Sequence, residues 1–344
     1  MNQLRAAICS GNVPRVHNPL GKGIDDRPHP AQLTADSGLA WPDYHAGRRN
    51  DAVRISTRSC KFMHQADHPN RLIGPFTMQL PIHIVDAFTS VQFKGNQASV
   101  VLLEDWLAEP TLQAIATENN LSETSFLVWS AERNAYEIRW FSPLKEIAFC
   151  GHATLASAFV LFEADPELRN ITFWAAAVGN VTATQEDTGR IVMAFPRRDA
   201  RHLSEVPAAL LKGLSPSPDY VWVNQQAYMA VYTSEASVRS VKPNLELLQS
   251  LGPLDVVVTA PADVGAPYDF VSRYFWPANG GDEDPVTGSI HAALAPYWSE
   301  KLHKKVLIAH QASQRTGTLF CEVTDSNVKV AGHCARYLTG TITI

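Results

Sequence analysis

At 344 residues the chain is too long for one ordinary core and about right for two. With 45% hydrophobic and 18% charged residues its bulk is globular rather than disordered, and a formal net charge of −5 excludes a nucleic-acid binder working by overall basicity. No apolar run of about 18 residues occurs, so no membrane-spanning helix is expected.

The first 77 residues differ in kind from the rest. They hold 10 Lys and Arg, 6 Asp and no Glu, a net of +4, whereas the remaining 267 residues carry −9. Prolines from Pro14 to Pro75 and scattered glycines leave no sustained period of 2 or 3.6. So little apolar surface cannot offset the entropy of ordering, which makes 1–77 either a disordered extension or, on the sharper reading, non-native upstream sequence with Met78 as the natural start. The stretch MNQLRAAICSGNVPRVHNPL lacks the apolar core of a secretory signal. Six Asp without an amphipathic face count against a transit peptide.

From residue 81 the chain reads as strand-rich. Strands are expected at 82–88, 98–103, 124–129 and 136–141, where β-branched and aromatic residues concentrate. Helical composition marks 110–119, 152–164, 205–213, 243–250 and 289–302, and the segment 115–123 leads Glu123 to a helix-to-strand junction. Residues 220–234 look like two strands around a polar turn. Further strands are expected at 255–260, 269–275, 304–311, 317–324, 327–332 and 338–344. A few separated helices among many strands mean α+β rather than alternating βαβ.

The five cysteines, Cys9, Cys60, Cys150, Cys321 and Cys334, are odd in number and form no CxxC pair, which points to a reducing cytoplasm. Without HExxH, zinc spacing or a nucleotide-type glycine loop, neither a metal nor a dinucleotide or ATP is expected.

One pattern occurs twice, in 136–163 and in 268–300. An aromatic strand ends in Phe-x-Pro, acidic residues and a loop follow, and then a Gly-polar step opens an Ala/Leu-rich helix. The steps are Gly151-His152 and Gly288-Ser289, 137 residues apart, close to half of the 267-residue body. Duplication into two lobes is the economical explanation, with boundaries at 78–200 and 201–334 and the last strand, 335–344, returning to the first lobe. Both helices are apolar on nearly every face and belong inside their sheets. Pro296 is expected to kink or shorten the second.

Two such helix N-termini facing each other would form an anion site, since free N–H groups and the positive dipole end meet there. A carboxylate, or an enolate formed from one, is the natural occupant. Either glycine alone would be read as a helix start after a tight loop; the pair favours a site. Glu123 precedes an apolar strand, a placement that suits a desolvated general base. Asp284 is a second proton shuttle or a helix cap, and His291 is read as packed or capping.

The segments DAFTSVQFKGNQASVVLL, ENNLSETSFL, RWFSP…CGHATLASAFVLF and EDPVTGSIHAALAPYW resemble the PhzF family of phenazine-biosynthesis-type isomerases, from about Met78 to Ile344. The resemblance implies a diaminopimelate-epimerase-like fold, two lobes each wrapping a barrel-like sheet around a central helix. It also implies a homodimer without cofactor, acting on a small carboxylate. By motif, Glu123 is the implied acid/base, and Asp284 and His152 assist proton transfer. Gly151, Gly288 and Ser289 grip the carboxylate, and Asn96 lies nearby. Gln97 stands where the family usually has Pro.

Two rivals remain. An amino-acid racemase or epimerase of the same fold would need a thiol before each Gly-polar step. Cys150 fills the first place but Thr287 the second, and a hydroxyl is too weak an acid to replace a thiol. A catalytically silent carboxylate-binding protein would not need the intact set Glu123, Asp284 and Ser289.

Overall fold

Strand pairing in the computed structural model repeats itself. The model describes residues 77–344; the extension expected over 1–77 lies, but for Thr77, outside the described residues. The first half contains β1 (Gln79–Ala87), β2 (Asn96–Leu103), β3 (Glu123–Ser130), β4 (Ala135–Phe141), β5 (Asn170–Ala175), β6 (Gly179–Gln185) and β7 (Ile191–Pro196). Successive strands pair antiparallel, parallel, antiparallel, parallel, antiparallel and antiparallel. The second half contains β8 (Tyr220–Val223), β9 (Ala227–Val231), β10 (Asp255–Pro261), β11 (Phe270–Trp276), β12 (Val306–Gln311), β13 (Gly317–Val323) and β14 (Asn327–Gly332). Its pairings follow the same order. Antiparallel β7–β14 pairing joins the halves, and β15 (Cys334–Thr343) returns to pair with β1.

Register extends the repeat to single residues. Ala98 pairs with Glu123 as Ala227 pairs with Asp255, and Phe141 pairs with Glu146 as Phe275 pairs with Glu283. Arg139 grips Glu146 through Nε and Nη2 at 2.6 Å each, and Arg273 grips Glu283 likewise at 2.8 and 2.9 Å. The fold is α+β with two similar lobes.

Each lobe buries one long apolar helix. Helix α2 (Gly151–Ala164) follows α1 (Glu109–Asn119) in the first lobe, and α3 (His291–Leu302) occupies the second. Eleven of the 14 residues of α2 are buried, which is why its sequence shows no polar face. On the outer side of the first lobe, Leu112, Ile115 and Ala116 of α1 pack on Val101, Phe126 and Phe141. A strand such as β10, covered on both sides, therefore reads as a continuous apolar run.

Several boundaries differ from expectation. Helix α3 begins at His291 rather than 289, because 288–290 form a tight turn in which His291 N–H bonds to Gly288 O and Ala292 N–H to Ser289 O. Pro296 does not shorten it. The Ala292 carbonyl, which a proline at 296 leaves without its usual donor, instead accepts the Arg198 N–H at 3.0 Å. A helix at Glu235–Ser240 was not expected; Ser234 caps it by accepting from the Ser237 N–H. The helices at Ala208–Gly213 and Leu245–Gln249 are shorter than their compositions imply.

Candidate active site

Glu123 does not end a helix. Helix α1 stops at Asn119, Asn120 turns the chain with φ +48°, and Glu123 opens β3 with its side chain buried. Asn96 opens the neighbouring strand β2 and is fully buried. It is placed by Gly95, whose φ is +66° and whose Cα approaches the Ala87 carbonyl so closely that a Cβ would lie 2.1 Å from its oxygen. Asp284 ends the short strand Gly281–Asp284, and Gly288 and Ser289 lie in the turn before α3. His152 is the second residue of α2.

These residues come together. A Cβ on Gly151 would lie 3.9 Å from Gly288 Cα, so the two Gly-polar steps are in van der Waals reach. Neither α2 nor α3 has a side-chain cap at its N-terminus. The first-turn N–H groups of α2 are thus left to other partners, while those of α3 already bond to the carbonyls of Gly288, Ser289 and Ile290. His152 Nε2 stands 2.8 Å from Glu123 Oε2, close but not aligned for a hydrogen bond, and that carboxylate oxygen is buried without one. Asn96 Nδ2 lies 3.2 Å from His152 Nδ1 and donates to Asp284 Oδ1 at 2.8 Å and to Val286 O at 3.0 Å. A line of side chains therefore runs Glu123, His152, Asn96, Asp284 from the first lobe into the second.

Two further residues hold Asp284, and sequence reasoning gave neither this task. The Thr287 hydroxyl donates to Asp284 Oδ2. Gln311, buried at the end of β12, donates from Nε2 to Asp284 O at 2.8 Å and accepts the Thr287 N–H on Oε1 at 2.8 Å. Gln311 comes from 27 residues away, so no local spacing could reveal it. Ser289 is held from a third segment: Gln226 Nε2 donates to its Oγ at 2.9 Å.

Burial and neighbouring charge set the protonation states. Burial disfavours the His152 imidazolium, but the contact with the Cys150 sulfur and the Glu123 carboxylate beside the ring works the other way and raises its pKa above the ordinary 6.5. Burial pushes the Asp284 carboxyl up, with the charge of Glu123 adding to it, while His152 and the bonds from Thr287 and Asn96 pull the other way. The Cys150 thiol is pushed up to about 11 by burial, with the Glu123 charge reinforcing the shift. His291 has no part in this line: it is fully buried, its Nδ1 lies 2.9 Å from Thr287 O, and burial lowers its pKa to about 4.

One grouping was invisible to sequence spacing. Ligand-type atoms of Glu123, Cys150 and His152 lie within 4.8 Å of one another.

Comparison with known proteins agrees with this fold. The family model for phenazine biosynthesis-like proteins, PhzC-PhzF, matches residues 85–340. The chain belongs to the PhzF family. An uncharacterized isomerase of Pseudomonas aeruginosa is 44% identical over 267 residues, covering 77% of this chain and 99% of that protein. A PhzF-family crystal structure from Enterococcus faecalis superposes with a TM-score of 0.73 at 37% identity, covering 78% of this chain and all of that one. A hydroxyproline epimerase from Agrobacterium vitis, only 10% identical, shares the fold at a TM-score of 0.54, covering 77% of this chain and 93% of that one. The expected reaction class, isomerase, agrees with the name of the Pseudomonas relative.

Proposed function

We propose that this PhzF-family enzyme is a cofactor-independent isomerase that moves a proton within a small cyclic or conjugated carboxylic acid, with Glu123 as the general base. The observation that carries the reading is Glu123 Oε2, a buried carboxylate oxygen without a hydrogen bond, set 2.8 Å from His152 Nε2 where the Gly151-His152 and Gly288-Ser289 steps meet. The substrate carboxylate takes the first-turn N–H groups of α2, the backbone of the Gly288-Ser289 step before α3 and the Ser289 hydroxyl. Glu123 removes a proton from an activated carbon, and the electron pair passes into the conjugated system. Its negative charge is met by the same backbone groups and by the protonated His152 ring. Asp284, whose buried carboxyl holds its proton more readily than usual, returns a proton at another carbon, and exchange with water after product leaves takes the proton from Glu123 and restores that of Asp284. Positioned acid–base groups contribute about 10²–10⁴-fold, and charge stabilisation supplies the larger remainder.

Two-thiol racemisation fits less well, because the second thiol position is Thr287, whose hydroxyl is committed to Asp284. The reading is tested by incubating the protein in D₂O with a pool of small carboxylic acids and following their masses. Wild-type protein is expected to add deuterium to at least one acid, and Glu123→Gln to none. A folded wild type that labels no acid while binding one would favour the silent carboxylate-binding protein instead.

A further inference from the structure

The internal repeat assigns Glu123 a counterpart that the proposed chemistry leaves unused. Ala98 of β2 pairs with Glu123, and at the matching place Ala227 of β9 pairs with Asp255, which opens β10 as Glu123 opens β3. Both carboxylate oxygens of Asp255 are held by hydrogen bonds within its own lobe. Its Oδ2 accepts the Tyr274 hydroxyl at 2.6 Å and its Oδ1 accepts from Asn279 Nδ2 at 2.7 Å.

Direction then propagates along the chain of bonds. A carboxylate only accepts, so Tyr274 must donate to it and has only its oxygen lone pairs left to offer. Gln226 lies 3.1 Å from that oxygen and must therefore turn its amide N–H₂ toward it rather than its carbonyl. The same Nε2 donates to Ser289 Oγ at 2.9 Å. Ser289 is thereby made the acceptor in that bond, and its own hydroxyl proton is left to donate elsewhere. Gln226 Oε1, on the far side of the amide, is buried without a partner, as expected if Tyr274 rather than a bond of its own sets the orientation.

We propose that Asp255, Tyr274 and Gln226 form a positioning relay that fixes the Ser289 hydroxyl as a hydrogen-bond donor toward the substrate carboxylate. The second lobe's counterpart of the acid/base position thus serves orientation rather than proton transfer. The proposal rests on the carboxylate-binding role given to Ser289 above, but it requires no turnover. Without the Tyr274 hydroxyl, the Gln226 amide is free to reverse, and Ser289 then donates to Gln226 instead of to the ligand.

Benzoate, a conjugated carboxylate that cannot react, serves as the probe, with its affinity measured by ligand-observed NMR on the full chain. Tyr274→Phe keeps the buried ring and is expected to weaken benzoate roughly three- to tenfold, the loss of one hydrogen bond to a charged group. Gln226→Glu, which can only accept from Ser289, is expected to weaken it by about tenfold or more. Ser289→Ala is expected to weaken it like Tyr274→Phe, and the Tyr274→Phe/Ser289→Ala double variant no further than Ser289→Ala alone. That non-additivity is what a merely structural tyrosine would not produce. The proposal is overturned if the folded Tyr274→Phe protein binds benzoate as wild type does, if the two losses add, or if wild type does not bind benzoate. Benzoate binding needs no proton transfer, so absence of deuterium labelling defeats the isomerase reading and leaves this measurement standing.

Discussion

Cys150 and His291 are the two residues beside the site whose chemistry is easiest to misjudge. Cys150 touches His152, with Sγ 3.4 Å from Nδ1, yet burial keeps it a thiol. Cys150→Ala is therefore expected to retain deuterium exchange within a few-fold of wild type, and loss of exchange in a folded variant would restore the thiol mechanism. His291 is a pH liability rather than a catalyst. Its folded pKa, about 4, lies below the ordinary 6.5, so the unfolded chain takes up a proton first as pH falls. Its stabilising contribution is complete above pH 6.5 and is lost between there and about pH 4, on the order of 3 kcal/mol at most. His83, buried beside Arg336, adds a loss of the same sign. Urea midpoints should fall across this window, and His291→Asn should flatten the fall; an unchanged slope would contradict the assignment.

At the scale of elements, the repeat allows equivalent residues to be compared in different surroundings. Arg273 is mostly buried, grips Glu283 and donates from Nη1 to Val241 O at 2.8 Å, so it ties β11 to the end of the helix Glu235–Ser240. Arg139 holds the same place in the first lobe, but its partners Glu146 and Glu109 are exposed. Arg273→Ala is expected to cost on the order of 3 kcal/mol in denaturant unfolding, because it strands a half-buried carboxylate and a carbonyl. Arg139→Ala is expected to cost about 1 kcal/mol or less. Similar losses at the two sites would show that burial does not govern the difference.

The strands and both central helices were legible because their composition alternates sharply with polar turns. Glu235–Ser240 was missed because six residues carry too little periodicity, although Ser234 marks its start. Asn96, His152, Glu123 and Asp284 were found through motifs. Gln226 and Gln311 were not, since each acts on residues 24 to 63 positions away and only the fold brings them there.

For the whole molecule, the internal repeat accounts for the architecture and places the residues of the proposed chemistry. Matching halves joined through β7 and β14 bring two Gly-polar steps into contact, and the line from Glu123 to Asp284 crosses from one half to the other. In the proposed site the halves contribute differently: the first holds Glu123 and His152, and the second holds Asp284 and the hydrogen-bonded Asp255, Tyr274 and Gln226 behind Ser289. The most direct test follows the rate of deuterium incorporation by NMR for an acid that wild-type protein labels, comparing wild type with Glu123→Gln. A fall of at least about 10²-fold is expected, with the thermal transition unchanged. A Glu123→Gln protein exchanging within tenfold of wild type would contradict the account.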